Sequence, residues 1–392
     1  MTAAVPSVRF FLADRRHPVL PGGTEWDRHL PRNRQGVTMP SASGDFTYGD
    51  YFQAVSRFLS RNDWRALRLA AGVLDPDWPA GKPFCEIDIF LEKHGAFYHP
   101  ARVAATAESR RVALVVNVAL SPEGIDLLAS EVETIHRLGD RFSPEYLPAV
   151  FQRGTESLPD GRRLEMFLGQ WFPDFHEFHL ESAAPGHPPQ WVVWHPDGPR
   201  FLDPLQCRAL HRSAAAILTA YYDVFSGAQI LDWHHAAGDF VVRLAPEKPL
   251  VMRLVTVRRH GPLLRDPPRD LAATLFHLLL FLVSTTLWLR LDRCRGVGDL
   301  ILADVATVAP ALEGVRDALI LKTQRGELPE AMLEAVDTYL GACPRRNLTE
   351  MIRALAARRP PEDPARRLIE AAATVHADHL GALLAAGGLF GT

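Results

Sequence analysis

Residues Leu271 to Leu291 are strongly apolar over about the length of a membrane span, and any fold of this chain has to bury them. The run contains His277 and a Ser284-Thr285-Thr286 cluster and ends Trp288-Leu289-Arg290. A spanning helix usually has a loop rich in positive charge on one side. Here acidic and basic residues stand close to both ends: Asp266, Arg269 and Asp270 before, Arg290, Asp292 and Arg293 after. The run is therefore expected to be the buried central helix of a helical unit, not a membrane span.

Charge excludes several partners. The formal net charge is −3, which offers no basic excess for a nucleic acid or an anionic membrane. Only four of the basic residues are lysines (Lys82, Lys93, Lys248 and Lys322). The dominance of arginine, with many alanines and prolines, suggests a GC-rich, bacterial genome. Cys85, Cys207, Cys294 and Cys343 lie far apart with no paired spacing, so a zinc site or disulfide framework is unsupported. The start of the chain has no apolar stretch of signal-peptide length, and a cytoplasmic protein is expected.

The order of elements follows from changes of period. Residues 1–45 are rich in Pro, Gly, Arg and Ser and are expected to be a loosely ordered lead-in. Tyr48 to Val73 has helical spacing and predicts one or two helices. Three strands follow, Glu86–Glu92, Ala96–Ala105 and Arg111–Leu120. Ser121 then caps a helix with Pro122 at its first position, and Gly139 is expected to close it. Two more strands are expected around Tyr146–Phe151 and Leu164–Gln170. The connector Phe175-His176-Glu177-Phe178-His179 is expected to be exposed. After it come a tryptophan hairpin (Trp191 to Leu202), a long helix from Pro204 to Phe225, and two short strands at Phe240–Leu244 and Val251–Val257. From Asp270 onward nearly everything reads as helix.

This order resembles the protein-kinase-like superfamily over about residues 85–300, nearest the lipopolysaccharide core kinases and the aminoglycoside phosphotransferases. The resemblance rests on element order and on the segments Ile230–Leu244 and Val251–His260. It implies an α+β, two-lobed kinase-like fold, with an antiparallel-sheet N-lobe carrying one helix and a mostly helical C-lobe. The implied divisions are an extension over 1–80, an N-lobe over 81–175, a C-lobe core over 176–310 and C-terminal helices over 311–392. It further implies ATP and Mg²⁺ as cofactors, should the site be active, and a cleft between Gly95, Asn117 and Glu131 on one side and His234, Asp239 and Thr256 on the other.

Kinase chemistry needs a lysine paired with a helix glutamate, a catalytic Asp and two metal-holding side chains. Glu131 matches the glutamate. Asn117 stands on a third strand with no lysine, unless Lys93 reaches in from the first turn. Aligned on Phe240-Val241-Val242, Asp239 is the metal ligand and His234 replaces the catalytic Asp; a register shifted by one makes Asp239 itself the base. Thr256, a poor Mg²⁺ ligand, stands at the second metal position, and Arg258 and Arg259 bring positive charge towards the cleft. The expected function is a degenerate pseudokinase that binds a nucleotide or phosphorylated ligand weakly or serves as a protein-interaction module. Two enzymatic alternatives remain open. One is an atypical phosphotransferase acting on a sugar or lipid-linked glycan. The other is a metal-dependent hydrolase using His234, His235 and Asp239, with Asp232 as a further ligand.

Overall fold

The computed structural model describes residues 5–12, 17–31, 46–95, 97–142, 146–181, 189–234, 238–245, 248–387 and 389–390. The chain is α+β and divides into two compact units, Met1–Arg137 with Pro148–Pro173, and Leu138–Leu147 with Asp174–Thr392.

The first unit is built on a six-stranded sheet. Its elements are β1 (Ser7–Leu12), α1 (Tyr48–Leu74), β2 (Glu86–Leu91), β3 (Ala101–Ala107), β4 (Arg110–Ala119), α2 (Pro122–Arg141), β5 (Val150–Ser157) and β6 (Arg163–Gln170). The sheet order is β1-β2-β3-β4-β6-β5. All pairs are antiparallel except β1 with β2, which run parallel. Part of the expected lead-in is thus a strand, and the sheet is not purely antiparallel. Alternation along β4 and β6 separates two faces. Val116, Val118, Met166 and Leu168 pack into the main core with Tyr51, Phe52, Val55 and Phe58 of α1. Ala119 and Phe167 point the other way, against Leu128 and Val132 of α2. Thr47 and Asp50 form a reciprocal cap at the start of α1. The helix breaks at Arg61–Trp64, where Asn62, Asp63 and Trp64 take left-handed φ of 50°, 56° and 60°. Ser121 caps α2 as expected, with its Oγ accepting from the Gly124 N–H at 3.1 Å. The helix passes Gly139 and ends at Arg141, whose guanidinium reaches Asp223 at 2.5 Å.

The second unit opens with β7 (Phe178–Glu181), β8 (Gln190–His195), β9 (Gly198–Phe201) and α3 (Pro204–Ala220). It continues with β10 (Ala228–Leu231), β11 (Phe240–Ala245), β12 (Lys248–Leu254) and β13 (Arg259–Pro262). Then come α4 (Leu271–Trp288), β14 (Leu291–Arg293), β15 (Leu300–Leu302), α5 (Val308–Gln324), α6 (Glu330–Gly341), α7 (Arg345–Ala357) and α8 (Pro364–Gly387). Its strands pair in small groups, β7-β8-β9, β10-β13, β11-β12 and β14-β15. The expected long helix stops at Ala220, and the segment after Asp223 turns back into β10.

The apolar run is α4. Asp270 caps it, accepting from the Ala273 N–H at 2.8 Å. It is long and apolar enough to cross a membrane, yet 72% of it is buried within the protein. Helices α5, α6 and α7 all pack against it. Each fully buried Leu or Phe there contributes about 2 kcal/mol by leaving water.

At the end of α4 a buried cation is held by a carbonyl and a histidine. Arg290 donates to the Ala303 carbonyl at 3.0 Å and to Nδ1 of His376 on α8 at 3.0 Å. A guanidinium can only donate, so Nδ1 must be the acceptor and the proton sits on Nε2. That Nε2 lies 3.1 Å from Thr286 Oγ1, which in turn donates to the Leu282 carbonyl. Burial first, then the charge of Arg290, push the His376 imidazole down to about 3. His376 is therefore held neutral in the fold but takes a proton near 6.5 when unfolded. The stability it confers is complete above pH 6.5 and drains away as pH falls towards 3. The slope is roughly 1.4 kcal/mol per pH unit at most. We expect chemical denaturation of the wild-type chain to weaken steadily from pH 7 to pH 4, and His376→Gln to show a measurably shallower slope.

Candidate functional site

Gly95, Asn117 and Glu131 belong to the first unit, and His234, Asp239, Thr256 and Arg258 to the second. The two groups are described in turn.

In the first unit Gly95 sits in the turn between β2 and β3, where its N–H bonds to the Tyr98 carbonyl at 3.0 Å. A Cβ there would lie 2.6 Å from that carbonyl oxygen, so the tight turn requires glycine. Asn117 is partly buried on β4, opposite Phe167 of β6. The basic residues of β4 stand at its other end and are engaged by the fold. Arg110 pairs with Asp77 at 2.7 Å. Arg111 joins Arg9 on the buried carboxylate of Asp88, at 2.8 and 2.7 Å. Glu131 is not a solvated helix residue: it is 1% exposed, on α2 between Leu128 and Val132. Beside Gly95, His94 Nδ1 lies 3.1 Å from Nδ1 of His99, and Tyr48 Oη lies 3.4 Å from His94 Nε2.

In the second unit the hairpin register makes the site. Phe240 pairs with Leu254, so Asp239 stands beside the chain that leaves β12. The Val255 N–H donates to the Asp239 carbonyl at 2.7 Å. Three residues on, Arg258 turns its guanidinium onto the Asp239 carboxylate, Nη1 to Oδ2 at 2.5 Å and Nη2 to Oδ1 at 2.6 Å. The backbone N–H of His234 donates to Oδ2 at 2.7 Å. Nη1 of Arg258 also reaches the Asp232 carbonyl at 2.8 Å, and Arg259 pairs with the Asp232 side chain at 2.9 Å. Asp239 has no exposure at all and the Arg258 side chain only 16%. This is a buried bidentate pair, the strongest form of carboxylate–guanidinium contact.

The structure thus gathers His234, Asp239 and Arg258 at one point, with partly buried Thr256 on the segment between Val255 and Arg258. His234 presents its backbone to Asp239. Burial lowers its imidazole, while the carboxylates of Asp292 and Asp239 pull the other way. His235 lies outside the described residues. Among the described residues, no group of three or more His, Cys, Asp or Glu side chains is placed to hold a metal.

The set around Asp239 does not fit Mg²⁺. That ion wants about six oxygen ligands near 2.1 Å, several of them water. Here both carboxylate oxygens are taken by a fixed cation and one also by a backbone N–H. No phosphoryl-transfer step is derived through a metal at this position. The hairpin register that sets Phe240 against Leu254 brings residue 239 beside 255, and the turn of the chain after 255 brings Arg258 back onto it.

Sequence reasoning missed a second cluster. The connector expected to be exposed contributes β7, and His179 there is wholly buried. Its Nδ1 lies 3.5 Å from Asp292 Oδ2 and its Nε2 3.6 Å from Glu177 Oε2. Asp292 comes from β14, far along the chain, so no local pattern announces it.

The site and fold define an α+β protein whose buried carboxylate is neutralised from within. No protein family and no curated protein matches the chain. Among solved structures it is similar to "WaaP in complex with acyl carrier protein" at 13% identity, over 61% of this chain and 85% of that one, with a TM-score of 0.27.

Breaking a buried pair leaves an uncompensated charge, at a cost of about 3–5 kcal/mol. We expect Arg258→Ala to lose stability on that scale in urea denaturation. Asp239→Asn should lose less, because Arg258 can turn to water. The double variant Asp239→Asn/Arg258→Gln should recover part of the Arg258→Ala loss.

Proposed function

We propose that the chain is a kinase-like protein without phosphoryl-transfer chemistry, binding a nucleotide or another phosphorylated ligand weakly and without a divalent metal. The observation that carries this reading is the Arg258–Asp239 pair. The carboxylate best aligned with a kinase metal ligand is filled by a guanidinium that the chain supplies itself. Three further features support it. Strand β4 offers Asn117 where a phosphate-holding lysine is required, and its arginines are committed to Asp77 and Asp88. The position of the catalytic Asp is His234, whose imidazole is lowered by burial. The second metal position is Thr256. Phosphoryl transfer depends on electrostatic stabilisation by cations aimed at the phosphates, and here Arg110, Arg111, Arg258 and Arg259 pair with the protein's own carboxylates.

Thermal shift of the purified chain with ATP, with and without Mg²⁺ or Mn²⁺, tests this. A ligand at a concentration equal to its Kd stabilises by only about 0.4 kcal/mol. We expect a rise of a degree or less at millimolar ATP, unchanged by either metal. A rise of several degrees that requires the metal, removed by Asp239→Ala, would overturn the reading in favour of an atypical phosphotransferase. Stoichiometric metal in the purified protein would favour the hydrolase reading instead.

A further inference from the structure

His179 is an ionisable group with no exposed surface. Among the described residues neither ring nitrogen meets a hydrogen-bond partner, and both face a carboxylate at ion-pair distance. Asp292, itself without exposure, is fixed on the far side by two backbone donors, the N–H of Leu180 at 2.8 Å and of Arg293 at 2.8 Å. Glu177 closes the near side with 17% of its side chain exposed. Trp194 of β8 lies against the imidazole with ring centroids 4.4 Å apart. Gly296, at φ +71°, covers it, and a Cβ there would come 3.0 Å from Nε2. The charged groups nearby are accounted for in the same neighbourhood. Arg295 pairs with Glu181 at 2.5 Å, Arg293 donates to the Gly298 carbonyl, and His234 feels the Asp292 charge from the loop before β11.

We propose that the His179 imidazolium is a proton-operated latch that clamps β7 to β14 and, through β7, steadies the hairpin carrying Asp239. The chain of contacts is short. His179 sits one residue before Leu180, whose N–H holds Asp292. Three residues earlier, His176 exchanges two backbone hydrogen bonds with Val242 of β11, at 2.8 and 2.9 Å. Protonated, the ring offsets two carboxylates that the fold has brought together. Neutral, it takes away the cation that faces Asp292, a carboxylate with no exposure, and weakening the compensation of a charge out of water is costly. Burial is the largest single influence on the ring and acts to lower it, but the contacts with Asp292 and Glu177 together outweigh burial and leave it raised. The sign follows. A raised folded value means the clamp is complete below 6.5 and is released as pH rises through that folded value. The latch goes beyond the binding proposal and stands whether or not a nucleotide binds.

The test is an NMR titration of histidine ring protons in the full chain, with amide exchange read at Leu180 and Val242. We expect one ring to titrate above 6.5 and to vanish in His179→Gln. Exchange at both amides, corrected for its intrinsic pH dependence, should quicken over the same range. In His179→Gln it should be fast at every pH. Should that variant fail to fold, Glu177→Gln alters only the partly exposed partner and should lower the titration. A His179 ring that titrates at or below 6.5, or amides whose exchange ignores its titration, overturns the latch. Neither result would bear on ATP binding, which the thermal shift reads separately.

Discussion

A carboxylate wholly withdrawn from water has to be answered inside the protein, and the second unit is arranged around two that are. Asp239 is answered by a guanidinium and a backbone N–H, Asp292 by two backbone N–H groups and an imidazole. Each answer joins segments that the chain order keeps apart. Arg258 pins the exit of β12 to the entry of β11, and Asp292 pins β14 to β7. Removing either charge therefore unfastens a junction, and the hairpin β11–β12 depends on both.

The buried arginine at the end of α4 is the complementary case. Among the described residues Arg290 donates to a carbonyl and a neutral histidine, with the Asp304 charge acting on it as well. The two units of the chain also rely heavily on arginine for ion pairs at half-exposed positions, such as Arg9 and Arg111 on Asp88 or Arg57 and Arg61 on Glu156. Pairs of that exposure contribute modestly to stability.

What the sequence made legible was local. The Ser121 cap, the strand periods of β2 and β4, the turn at Gly95 and the apolar stripe of α4 each advertise themselves within a few residues. The burial of α4 was legible in the charge on both its flanks, and 72% of it lies inside the protein. What was not legible was pairing at a distance. Parallel β1 reads as lead-in because its partner lies 79 residues on. The His-rich connector reads as exposed because the carboxylate that balances His179 arrives 112 residues after the strand it holds. At the candidate site Asp239 and Arg258 both stand out in the sequence, Arg258 as positive charge directed towards a cleft. Only the closed hairpin shows that its partner is Asp239.

The parallel strand β1 has a consequence for life among other molecules. Without it the sheet would end at β2, where Ile87, Ile89 and Leu91 line a strand with one row of backbone groups unpaired, a template on which another chain can assemble. Residues 7–12 cover that row and move the border to a six-residue strand that carries Arg9. Because β1 is made long before β2, the newborn sheet edge meets its cover already waiting in the same molecule, ahead of any neighbour.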